Sequence, residues 1–396
     1  MYALTTAFPL SLQRSFVCRE NASSRRTLKW PRERWKASVV NTECTLHQIS
    51  PYIGKIKSSI AAAILEQFTS PGECVYDPFS GSGTVALEAW IRGRSVVSND
   101  LNRYAAVLTR AKLHPPPNKD SALSELLDVA QKVALQRDRG DSRSAPDWVR
   151  DFYHPKTLRQ ILAWVTCLRR ERRYFLLACL LGILHHQRPG FLSFPSSHTV
   201  PYLRTKKFPR SRFAELYKPR EILPRLERKI LRCFRRVPVL DTSLSRAVYQ
   251  RRAETFLPNG KIDAIITSPP YMRQLDYGRD NRLRLWFLGK HDCLAVDRAV
   301  TPGEPLFFRL MHDSLVLWKR LLAPGAHCVL VLGDSHSSLY RKALPEAVAD
   351  LATKDLGGYS FVGFQKDPIP AIRRVRRLCR GNSYETILVL RRNVGV

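Results

Sequence analysis

Residues 74 to 100 leave this chain few folds to choose from. Cys74 to Tyr76 is a short apolar run that reads as a strand. The segment Asp77-Pro78-Phe79-Ser80-Gly81-Ser82-Gly83-Thr84 follows, then an apolar stretch from Val85 to Ile91 that reads as a helix stopped by Gly93. A second strand, Ser95 to Ser98, ends at Asn99-Asp100. Strand, glycine turn, helix and strand make one βαβ unit. Its strands must lie parallel and be covered by helices on both faces, which points to an open, doubly wound α/β sheet.

The rest of the chain fits that frame. A helical repeat from Ile56 to Phe68 places Ile56, Ile60, Ala63, Ile64 and Phe68 on one face, and Pro71-Gly72 ends it. After His114-Pro115-Pro116-Pro117 the α/β rhythm stops. Helices are expected at Ser121 to Leu135, Thr157 to Leu168 and Tyr174 to Leu184, with a proline-broken stretch at 189–220. The rhythm returns with a strand at Ile262 to Ile266 and a helix at Phe307 to Leu322. A turn at Pro324-Gly325 leads into the strand Cys328 to Leu332. Tyr359 to Phe364 and Glu385 to Leu390 are expected to pair as an antiparallel hairpin. The expected organisation is a basic, disordered lead-in (1–45), one half of an α/β domain (46–113), a helical basic insertion (114–244) and the second half (245–396).

Charge narrows the partners. Lys and Arg number 65 against 34 Asp and Glu, a net charge of +31. A field of that size attracts phosphate-rich molecules. Residues 201 to 252 hold 16 Lys or Arg and 4 Asp or Glu. Within this stretch Arg204, Lys206, Lys207 and Arg210, together with Arg273 further on, are the candidate nucleic-acid contacts. Arg373, Arg374, Arg376 and Arg377 form another basic cluster. No apolar run is long enough for a membrane span. The nine cysteines include no Cys-x-x-Cys pair, so a zinc knuckle is not expected and reduced thiols in a cytoplasmic setting are. The arginine-bearing first 40 residues leave an organellar presequence as a second reading. His185-His186 has no acidic neighbour and reads as a packed pair; no metal is expected.

Gly81 and Gly83 let the backbone approach a ligand closely, and the following helix offers its free N–H groups. Asp100 stands at the end of the second strand, where a carboxylate can accept from ribose hydroxyls. No Gly-Lys-Ser/Thr follows, so a P-loop is excluded. A dinucleotide fingerprint has a third glycine near Ala86, so a nicotinamide cofactor is the weaker rival. The Asp-Pro-Phe-x-Gly-Ser-Gly-Thr segment resembles the cofactor loop of the DNA amino-methyltransferases. The resemblance implies S-adenosyl-L-methionine as cofactor and a Rossmann-like methyltransferase sheet. It implies cofactor contacts at Asp77, Phe79, Gly81, Gly83, Thr84 and Asp100. Tyr52 and Lys55 would belong to a segment that folds over the cofactor, with Lys55 meeting the methionine carboxylate; an N-terminal helix cap is the other reading of this segment.

Ser268-Pro269-Pro270-Tyr271 stands at the carboxyl end of a strand, the edge where open α/β sheets bind ligands. Two prolines fix a rigid corner without N–H groups. A carbonyl and a hydroxyl there can accept from an NH₂ group and turn its lone pair out of conjugation. The resemblance extends to this corner and implies catalytic roles for Ser268, Pro269, Pro270 and Tyr271. Its serine form implies the N4 amine of cytosine first and adenine N6 second. No Pro-Cys dipeptide is present, which argues against attack on the cytosine ring carbon. One family feature is displaced: the acid expected after the third strand, near Ala247 to Gln250, falls on Arg252, with Glu254 and Asp241 nearby. DNA is the expected partner and RNA the runner-up, with restriction-modification among the settings. A nucleic-acid-binding protein with an inactive site is the non-enzymatic alternative.

Overall fold

The computed structural model describes residues 42–135, 141–197, 200–271, 276–289, 292–300, 303–369 and 383–394. The basic lead-in falls almost wholly outside these, as do Arg273 and the cluster Arg373 to Arg377.

Helix α1 (Ser58–Phe68) precedes strand β1 (Cys74–Asp77). Helix α2 (Thr84–Ile91), strand β2 (Ser95–Asn99) and helix α3 (Arg103–Leu113) follow. A helical stretch comes next: α4 (Lys119–Leu135), α5 (Pro155–Arg170), α6 (Tyr174–Gly182) and α7 (Leu223–Cys233). The sheet resumes with β3 (Arg246–Tyr249) and β4 (Ile262–Thr267). Then come α8 (Arg282–Phe287), α9 (Glu304–Leu321), β5 (Leu322–Gly333), α10 (Leu344–Asp350), β6 (Tyr359–Pro368) and β7 (Tyr384–Arg392).

Seven strands form one sheet in the order β3-β2-β1-β4-β5-β7-β6. The first five run parallel. Strand β7 is antiparallel to both β5 and β6. This is the Rossmann-like α/β sheet that the βαβ unit demanded. The terminal pair is antiparallel as expected, with β7 wedged between β5 and β6. Pro324-Gly325 departs from expectation, because it lies inside β5 and not in a turn before it. The register slips there: Ile262 faces Leu322 while Ala264 faces His327. Gly325, at φ +82°, takes the left-handed conformation that lets the strand bulge without breaking.

Burial follows from this layering. Val75, Val96, Ile266, Val329 and Val389 face one side, together with α1 to α3 and the helical stretch. Tyr76, Ile265, Leu330 and Leu388 face the other, against α9 and α10. Helices α4 to α7 thus share a single apolar core with the first βαβ unit. Leu176, Leu180 and Leu181 of α6 have no exposed surface. At its end, a Cβ on Gly182 would lie 2.3 Å from the Ile49 carbonyl. That close approach fixes the segment leading to Tyr52. Among the described residues, no helix is long and apolar enough to cross a membrane.

Candidate active site

The parallel order places the carboxyl ends of β1, β2 and β4 side by side, and each contributes polar groups to one cleft. Its walls include Tyr52, Lys55, Asp77, Phe79, Gly81, Thr84, Asp100, Ser268 and Pro270. The cofactor loop and the proline corner, about 190 residues apart in sequence, therefore meet at one opening.

Thr267 makes the join. Its hydroxyl donates to Asp77 Oδ1 at 2.7 Å and accepts the Phe79 N–H at 3.1 Å. The loop is pinned at three further points. Ser80 N–H donates to Asn99 O at 2.9 Å, Gly83 N–H to Ser80 O at 2.7 Å, and Gly81 N–H to Asp100 Oδ2 at 2.7 Å. Asp100 Oδ1 accepts the Asn102 N–H at 2.8 Å. Each carboxylate oxygen of Asp100 keeps a lone pair beyond these bonds. Burial pushes the Asp77 carboxyl up to about 7, with Thr267 opposing and Asp100 adding to the rise. Burial likewise pushes Asp100 up to about 6, opposed by its backbone donors.

The two glycines do different work. Gly81 (φ +50°) faces the cleft, and a Cβ there would lie 3.3 Å from Tyr52 Cε1. Gly83 (φ +70°) faces inward, and a Cβ there would lie 2.8 Å from Thr109 Oγ1. It belongs to the packing of α2 on α3 and is absent from the cleft wall. Tyr52 lies against the loop at Gly81, its ring beside Tyr104 at 5.8 Å and Tyr277 at 6.2 Å. Lys55 lines the cleft, and its ammonium donates to His47 O at 3.3 Å.

In the corner, the Ser268 hydroxyl donates to Val331 O of β5 at 3.0 Å. Tyr271 is buried in a small cluster with Ile53 and Tyr277, and its hydroxyl donates to Glu385 Oε1 at 2.7 Å. Pro269 and Tyr271 are buried between the wall residues Ser268 and Pro270 and the sheet.

Of the two acids near the third strand, Glu254 lines the cleft, paired with Arg252 at 2.6 Å. Asp241 is exposed and bonded to Ser243. Tyr277, in the segment after the corner that was a candidate for the pocket wall, lines the cleft; motif and spacing did not point to Thr267 or Glu385. Thr267 directly precedes the corner, which was a usable signal. Glu385, 114 residues from Tyr271, offered none.

The basic candidates stand apart from the cleft wall. Lys206, Lys207 and Arg210 are exposed, and Arg204 is half-buried on Gln187. Arg210 lies over the Tyr217 ring at 5.8 Å. His186 stacks on Phe191 at 4.6 Å, and His185 Nδ1 bonds to Ser197 O at 2.9 Å.

The cleft's groups suit the cofactor that the resemblance implies. Carboxylates at Asp100 and Glu254 match hydroxyl and amine donors, an ammonium at Lys55 matches a carboxylate, and Gly81 leaves a cradle that a Cβ would fill.

Comparison with known proteins adds to this geometry. Residues 52–140 match the family model described as D12 class N6 adenine-specific DNA methyltransferase. The chain is 23% identical over 276 residues to the Type II methyltransferase M.MvaI of Kocuria varians, covering 63% of this chain. It spans 58% of the length of that curated relative. Among solved structures, TrmN from Thermus thermophilus is 15% identical, with 86% of this chain and 50% of that chain covered and a TM-score of 0.34. The rRNA methyltransferase aviRa from Streptomyces viridochromogenes is 10% identical, with 89% and 95% covered and a TM-score of 0.35. Both matches are to proteins described as DNA methyltransferases, each over part of this chain.

Proposed function

We propose that this chain transfers a methyl group from S-adenosyl-L-methionine to the exocyclic amine of a base in DNA, with cytosine N4 as the target. The observation that carries this reading is the shared cleft, in which Ser268 and Pro270 stand opposite the Asp77–Thr84 loop. When bound, the cofactor supplies an electrophilic methyl on a positively charged sulfur.

The chain's own groups hold and orient. Asp100 accepts from ribose hydroxyls, Glu254 faces the adenine end, and Lys55 meets the methionine carboxylate. Ser268 has its proton directed at Val331 O, which leaves its oxygen lone pairs for an incoming N–H. The Pro269 carbonyl takes the second N–H. With both protons held, the amine nitrogen's lone pair points along the line of transfer, and orientation supplies much of the rate. Tyr271 backs the corner as the stacking partner of a flipped base. Lys206, Lys207 and Arg210 hold phosphates outside the cleft.

Adenine N6 is the second reading, favoured by the description of the matching family model. That match covers residues 52–140, which contain the cofactor loop and not Ser268 to Tyr271. The choice of cytosine therefore rests on the serine of the corner.

Methyl transfer from labelled cofactor to DNA and to transcribed RNA, followed by nucleoside mass analysis, tests the proposal. The expected product is 4-methylcytosine in DNA. N6-methyladenine in its place moves the reading to the second target, and a methylated nucleoside in RNA alone overturns it. Ser268→Ala is expected to lower turnover while leaving cofactor binding intact.

A further inference from the structure

A large ring held out in solvent on a locked backbone is ready to stack on whatever flat group arrives. Tyr202 is such a residue. Pro201 before it is buried and Leu203 after it is half-buried, whereas Tyr202 is 53% exposed. Its backbone is pinned on both sides. Ser197 N–H donates to Tyr202 O at 2.9 Å, Ser196 and Leu203 form an antiparallel bridge, and Arg204 N–H donates to Pro195 O at 2.9 Å. On the other side Arg282, the first residue of α8, donates from Nη2 to Pro201 O at 2.9 Å, its guanidinium lying over the Trp148 ring at 5.1 Å. Val200 packs against the cluster of Ile53, Tyr271 and Tyr277, and Tyr277 lines the cleft with Ser268 and Pro270. The exposed ring therefore follows closely in the chain on a residue that touches the proline corner's own cluster. Arg204, Lys206, Lys207 and Arg210 come next, in a stretch with 16 Lys or Arg and 4 Asp or Glu over residues 201–252.

We propose that Tyr202 is a base-stacking residue, whose ring lies on the base next to the target in the DNA strand that enters the cleft. This deepens the amine-methylation reading above and rests on it for the place of the stack. Drawing a base out of a duplex costs the stacking on its neighbours. An aromatic face offered to one neighbour replaces part of that stack. Every base has such a face, so the contact requires no particular sequence. A pinned backbone also avoids the ordering cost that a loose loop incurs on binding. The cationic residues that follow Tyr202 match a phosphate chain, which commits the exposed ring to nucleic acid and not to an apolar protein surface.

Fluorescence anisotropy with labelled single-stranded DNA of mixed sequence, and with a strand of equal length that carries only abasic sites, separates stacking from charge. Tyr202→Ala should weaken binding to the base-bearing strand by about 5- to 150-fold, the range of one lost base–aromatic stack. Its slope of log affinity against log salt should equal that of wild type, because tyrosine neutralises no phosphate. Tyr202→Phe should bind as wild type does, and the abasic strand should bind all three proteins alike. On double-stranded plasmid DNA, Tyr202→Ala should slow methyl transfer by a similar factor, with calorimetric binding of S-adenosyl-L-methionine and the urea midpoint unchanged. Equal binding of wild type and Tyr202→Ala to the base-bearing strand would overturn the proposal. An equal loss on the abasic strand would overturn it too, as would a loss confined to RNA of the same sequence. A loss in Tyr202→Phe as large as in Tyr202→Ala would replace stacking by a hydrogen bond from the hydroxyl. A wild-type protein that methylates neither DNA nor RNA, yet shows the expected binding differences, overturns the amine-methylation reading and leaves the stacking itself in place.

Discussion

Thr267 and Asp77 share a hydrogen bond of 2.7 Å that closes the end of β4 onto the end of β1, with both side chains buried. The same hydroxyl accepts the Phe79 N–H, so one side chain holds two parts of the loop. Thr267→Val keeps the shape and removes both bonds. It takes from a buried carboxyl and an N–H the hydroxyl that joins them, at a cost of about 1–3 kcal/mol for each group left unsatisfied. A lower urea midpoint and weaker calorimetric binding of S-adenosyl-L-methionine are expected. Unchanged binding would mean that the loop is organised by its other hydrogen bonds.

Asp77 also sets a pH dependence. Its folded value, up to about 7, lies above the ordinary 3.8, so the folded chain holds a proton that the unfolded chain releases. The stability this contributes is present below about 3.8 and is lost as pH rises through about 7. His47, buried and lowered to about 4, works the opposite way in an overlapping window. The test is therefore the difference between wild type and Asp77→Asn, whose amide oxygen still accepts from Thr267. Measured by urea unfolding from about pH 4 to about pH 7, Asp77→Asn should gain relative stability as pH rises. A flat difference would show that Asp77 titrates normally.

Gly83→Ala should be costly for stability first. The left-handed φ alone costs about 1–2 kcal/mol for a residue with a Cβ, and the new carbon would meet Thr109 Oγ1 at 2.8 Å. Chemical denaturation is expected to show a lower midpoint. Gly81→Ala, whose Cβ would face Tyr52 at 3.3 Å, should instead weaken cofactor binding with a smaller loss of stability.

Replacing Arg204, Lys206, Lys207 and Arg210 together by alanine should weaken nucleic-acid binding evenly across sequences. If all four hold phosphates, the slope of log affinity against log salt should shrink by roughly 3 to 4, at about 0.9 for each phosphate no longer neutralised. Fluorescence anisotropy at several salt concentrations measures it. A slope equal to wild type would place the phosphate-binding groups elsewhere on this basic chain.

The cofactor half of the site was legible in sequence because its parts are local. A strand, two glycines, a helix and Asp100 fall within 27 residues, and backbone geometry ties their spacing to their neighbours in space. The corner was legible for the same reason, since two prolines fix their own neighbours. The Pro324-Gly325 bulge was misread because a turn signal and a bulge signal use the same residues, and only pairing with β4 decides between them. Glu254 and Asp241 were indistinguishable until the chain path after β3 placed one on the cleft wall and left the other in solvent. Glu385 was invisible because its neighbour, Tyr271, is set by the order of strands and by no local pattern.

The span between Asp77 and Thr267, 190 residues, is also an interval of time. At ribosomal speeds of roughly 5 to 20 residues per second, β1 and its loop emerge roughly 10 to 40 seconds before the strand that completes them. Throughout that interval the nascent chain carries a glycine loop with no Thr267 to fasten it, and a central strand with one flank open. The intervening helices emerge first and share their core with the early βαβ unit, so they shelter one face of that half-built sheet while synthesis reaches the other.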